Sequence, residues 1–71
     1  MNKRQTARAM EVFSELNQIA PDMVTFREAA DLCNKYGVTN TKFHRCAKRD
    51  KNIRPTNLAQ VAVVIASKET N

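Results

Sequence analysis

Glycine occurs once in this chain, proline twice and tryptophan not at all. So few breakers alongside 42% apolar residues argue for an ordered, mostly helical chain and against a disordered one. Long hydrophobic runs are also missing. The longest, Leu58 to Ala66 broken by Gln60, is far short of the roughly 20 residues of a membrane span, and the basic first residues lead into no apolar signal core. A cytoplasmic protein without membrane contact is expected. The two cysteines, Cys33 and Cys46, make no disulfide framework and fit a reducing compartment. His44 and Cys46, two residues apart, point to different sides of a helix, so a shared metal is not expected. His44 has no nucleophile and supporting acid near it, and Asp50 stands apart from other acids. No enzyme activity and no cofactor are expected.

What is present is positive charge in one place. Six of the twelve basic residues and one of the seven acids fall between Lys42 and Arg54, so this stretch carries the whole formal net charge of +5. That concentration suits a polyanion-facing patch better than a generally solvated surface. With 71 residues the chain forms one small domain with a thin core, which favours self-association.

Apolar residues at steps of three and four predict an amphipathic helix from about Arg4 to Ile19, with Ala9, Val12, Phe13, Leu16 and Ile19 or Ala20 on its inner face. Arg8 can pair with Glu11 or Glu15. Pro21 and Asp22 end this helix. Thr25-Phe26-Arg27-Glu28 is a capping box, opening a helix from Phe26 to about Lys35 with Phe26, Ala29, Ala30, Cys33 and Tyr36 inward. Gly37 follows, where a left-handed residue reverses the chain. Thr39, Asn40 or Thr41 then caps a helix to about Arg49 with Phe43, Cys46 and Ala47 inward. Asp50 to Pro55 reads as a connection, and Pro55 or Thr56 opens a last helix to about Lys68. That segment is apolar on both sides, through Leu58, Val61, Ala62 and Ile65 and through Ala59, Val63 and Ala66. Its β-branched residues Val61, Val63, Val64 and Ile65 also permit a strand. The expectation is an all-α domain of about four helices whose C-terminal segment, Leu58, Val61, Ala62, Val63 and Ile65, supplies a homodimer interface.

Around Gly37 the offsets form a unit: Leu32 and Cys33 before it, Tyr36 and Val38 beside it, Phe43 and Cys46 after it. Two short helices crossing steeply need a small side chain where they touch, and Cys33 fills that place. The pattern, over about residues 29–48, resembles the helix-turn-helix of phage repressor and Cro-type DNA-binding proteins. The stretches "TFREAADL" and "GVTNTKFHRCAKR" are more loosely similar to excisionase-like domains. The resemblance implies duplex DNA as the partner of a small transcriptional regulator acting as a homodimer. Thr39, Asn40, Thr41, His44, Arg45 and Lys48 would face base edges. Asn40 would read adenine and Arg45 guanine. Arg27, Lys42, Arg49, Lys51 and Arg54 would hold phosphates. A plain helical hairpin needs similar apolar spacing, but it gives no reason for the basic cluster to follow the turn. The alternative of another class is a protein-binding adaptor or inhibitor that keeps this fold, uses its apolar last helix to grip a partner protein and turns the basic stretch to an acidic surface. RNA binding is disfavoured because the chain has four aromatic residues, most of them assigned to the core.

Overall fold

The computed structural model describes residues 1–49 and 55–69. In chain order they form α1 (Lys3–Asn17), β1 (Met23–Thr25), α2 (Phe26–Lys35), α3 (Thr41–Arg49), β2 (Pro55–Asn57) and α4 (Leu58–Glu69). The chain is predominantly helical, in agreement with the all-α expectation, with four helices and one short sheet among the described residues.

Each helix begins on a short polar side chain that accepts from the first turn. Asn2 accepts from the Gln5 amide at 2.8 Å, and the Gln5 side chain accepts in return from the Asn2 amide at 3.2 Å. Thr25 and Glu28 make the expected capping box, at 3.1 and 2.9 Å. The Thr25 N–H, donating to it, holds the exposed Glu28 carboxyl below the ordinary carboxylate range. Asn40 caps α3 through the Phe43 amide at 2.9 Å, and Asn57 caps α4 through the Gln60 amide at 2.8 Å. Such caps contribute about 1 kcal/mol each. The last helix therefore opens at Leu58, and not at Pro55 or Thr56.

Those two residues belong to a strand instead. β1 and β2 pair antiparallel, with Met23 opposite Asn57, Val24 opposite Thr56 and Thr25 opposite Pro55. Pro55, which has no amide hydrogen to give, sits at the end of the ladder. The Leu58 N–H donates to the Asp22 carbonyl at 3.0 Å, and Val24 turns into the core. The sheet thus ties the entry of α2 to the entry of α4.

The β-branched residues Val61, Val63, Val64 and Ile65 lie in helix, which overturns the strand alternative. Burial at Leu58, Val61, Ala62, Ile65 and Ala66 follows a helical period. These side chains pack on Val12 and Leu16 of α1, while α2 carries α3 through Cys33, Val38 and Phe43. The Phe43 ring lies tilted against Phe26 with centroids 5.4 Å apart. Of the residues assigned to the inner face of α1, Phe13 is not there, at 38% exposed, and of the alternatives Ile19 and Ala20 it is Ala20 that packs against the core, Ile19 being 58% exposed. The inner stripe is Ala9, Val12 and Leu16; Phe13 falls to one side of it and Ile19 beyond the last helical residue.

Tyr36, expected on the inner face of α2, is half-buried at its edge and donates from its hydroxyl to Glu15 at 2.6 Å. Burial, and then Glu15, push its phenol up to about 12. Arg8 stands 5.8 Å from the centre of that ring. Its guanidinium donates to Glu11 at 3.1 Å, as expected of one of its two neighbours, and to Glu69 of α4 at 2.8 Å. This polar cluster joins α1, the end of α2 and the last turn of α4, although partly exposed pairs of this kind contribute at most about 1 kcal/mol each.

Gly37 has φ +70°, the left-handed region. Its N–H donates to the Asn34 carbonyl and the Val38 N–H to the Cys33 carbonyl, both at 3.0 Å, which is the Schellman ending of a helix. Nothing lies within 4 Å of a Cβ built at Gly37. Gly37→Ala should therefore bear only the conformational cost, about 1–2 kcal/mol in denaturant titration, and Gly37→Asn less. An alanine variant as stable as the wild type would show that the turn does not depend on this conformation. Among the described residues no helix is long and apolar enough to cross a membrane.

Candidate nucleic-acid interface

The turn at Gly37 projects α3 from α2. Buried Val38 and Phe43, with half-buried Cys46 and Ala47, fix the inner side of α3. That leaves Thr41, Lys42, His44, Arg45 and Lys48 all exposed on its outer side, with Thr39 exposed in the turn before it. The helix contains no acidic residue. Nothing within α3 therefore offsets the field of its cations.

Arg27 of α2, also exposed, joins this surface. With His44 and Lys48 it lines a depression of about 220 Å³ between the two helices, with Ala30 and Ala47 between them and Asp31 and Asn34 on its wall. Sequence reasoning passed over Asp31, the one acid in this depression, because it reads there simply as a solvent-facing residue of α2. Among the described residues, no three His, Cys, Asp or Glu side chains are grouped to hold a metal ion. Cys33 is fully enclosed, and burial pushes its thiol up to about 11. A thiol so placed is a packing group and a poor nucleophile.

Asn40 is the one of the three expected caps that starts α3. Its side-chain oxygen accepts from the Phe43 amide, so pairing both amide groups with a base edge competes with the cap that starts α3. The interface candidates on α4 need a larger correction. Leu58, Val61, Ala62 and Ile65 are 1% exposed or less and fill the chain's own core; Val63 alone of the five is half-exposed. In a chain this short the strongest apolar stripe is needed inside, and of the weaker one Ala66 is buried too, which leaves Ala59 and Val63 for any contact outside. The side chain of Arg49, and both Lys51 and Arg54, lie outside the described residues.

Comparison with protein-family models, curated sequences and solved structures finds no match for this chain. The functional reading therefore rests on the chemistry of this surface.

Proposed function

We propose that the chain binds double-stranded DNA with α3 in the major groove, as a small cytoplasmic regulator of transcription of the phage-repressor kind working as a homodimer. One observation carries this reading: the outer side of a helix that follows a left-handed glycine turn is wholly polar and basic, and Arg27 of the preceding helix extends it. A nine-residue helix is about 13 Å long and, with side chains, about 10–12 Å across; the major groove is about 12 Å wide. The fit in size is direct.

Within that arrangement Arg45 and Lys48 are the readers of guanine edges, and Thr39, Thr41 and His44 contact neighbouring bases. Lys42 and Arg27 hold phosphates, and Arg49, Lys51 and Arg54 continue that role along the chain. Asn40 serves as the cap that sets the angle of α3, with at most a single contact to a base.

The test is titration of random-sequence duplex DNA at two salt concentrations. Neutralising five phosphates gives a several-hundredfold loss of affinity between about 50 and 200 mM salt. No binding at the lower concentration would overturn the proposal and turn attention to the protein-binding adaptor, in which the same cations face an acidic protein.

A further inference from the structure

Away from α3, a groove of about 240 Å³ runs between α1 and α4, lined by Met1, Thr6, Met10, Phe13, Ala59 and Val63 with Ala9 and Ala62 at its base. Its large side chains are open to solvent: Met10 is 69% exposed and Phe13 38%. Among the described residues, none of its lining side chains is charged. We propose that a second copy of this chain covers the groove, Met10, Phe13 and Val63 of each copy packing on the other about a two-fold axis. The proposal rests on the DNA-binding reading only for its purpose, which is to present two copies of α3 to one duplex.

Charge selects the occupant. A chain of net charge +5 repels its own kind, and a two-fold contact sets like charges of the two copies against each other. It needs a face without charged side chains, and this groove is such a face. An acidic partner would instead be drawn to the basic side of α3. At 1.5 Å per residue α1 and α4 are about 22 and 18 Å long, and side by side they offer a face of about 400 Å² in projection, about half of the roughly 800 Å² per partner of a standard stable pair, which makes this a small and weakly paired interface. Position favours it, because α1 packs on α4 while α3 packs on α2, so pairing through α1 and α4 leaves α3 uncovered.

Sedimentation equilibrium without DNA tests this. The wild type should have twice the 8.1 kDa of one chain, and Met10→Glu, a change at an exposed position, should have the mass of one chain while keeping the helical circular dichroism and melting temperature of a folded domain. Phe13→Ala should weaken pairing at least tenfold; if it unfolds, Met10→Glu and Met10→Lys still decide the matter. A wild type that stays monomeric at about 100 μM, or a Met10→Glu dimer, would overturn the proposal and leave the groove to a helix of another protein. Because the mass is read in the absence of DNA, pairing without DNA binding would overturn the DNA-binding reading and leave the pair, and DNA binding by a single chain would overturn the pair and leave α3 on DNA.

Discussion

Replacing Arg45 and Lys48 together with alanine should weaken binding to duplex DNA about a hundredfold at moderate salt and leave the fold intact. Each interaction of such a residue with a base edge or phosphate contributes about 1–3 kcal/mol, so two removed together exceed the scatter of ordinary surface substitutions. The fold should not respond, because both side chains are exposed, neither has an acidic partner among the described residues, and alanine is a good helix former. Melting temperature and affinity should therefore separate. The salt dependence should stay close to that of the wild type, because the residues assigned to phosphates, Arg27 and Lys42 among them, are untouched and the two removed read base edges. An affinity unchanged in the double variant, measured by fluorescence anisotropy, would remove the outer side of α3 from any role in DNA binding.

Leu16→Ala should bring the domain close to unfolding. Leu16 is fully enclosed where α1 meets α4, and truncating such a leucine costs about 3 kcal/mol or more. A domain of 71 residues has roughly 4–10 kcal/mol in all. The loss should lower the melting temperature on the order of 15 °C, far more than any change on the outer side of α3. Met10→Ala on the same helix should change it little at concentrations where the chain is single, since Met10 is mostly in solvent there. Similar losses for both variants would mean that α1 does not pack on α4 as described.

The four helices were legible because each repeats an apolar residue every three or four positions and begins beside a capping side chain. The box at Thr25 and Glu28 and the turn at Gly37 were read from single residues, since each solves a local problem: an unpaired amide, a left-handed φ. The caps at Asn2 and Asn57 carried a similar signal, an asparagine three residues before a glutamine, and would have moved the starts of α1 and α4 to their true places. The sheet could not be read, because three-residue strands show no alternation and their pairing joins segments far apart in the chain, Met23 to Asn57. The ion pair of Arg8 with Glu69 is non-local in the same way. For the candidate surface, the sequence placed Lys42, Arg45 and Lys48 on the outer side of α3, where they are exposed, since the inner positions of a helix dictate the outer ones. It could not tell which apolar stripe of α4 faces inward. That choice depends on α1, which covers Leu58, Val61 and Ile65 and leaves Val63 at the rim of a groove with Met10 and Phe13.

The central claim is that α3 meets DNA, and amide chemical-shift mapping of the isotope-labelled chain during titration with duplex DNA tests it most directly. Resonances from Thr39 to Lys48 and that of Arg27 should move, and move further as salt is lowered, with Met10 and Val63 unmoved. Shifts confined to the α1 and α4 groove, or none at low salt, would contradict it.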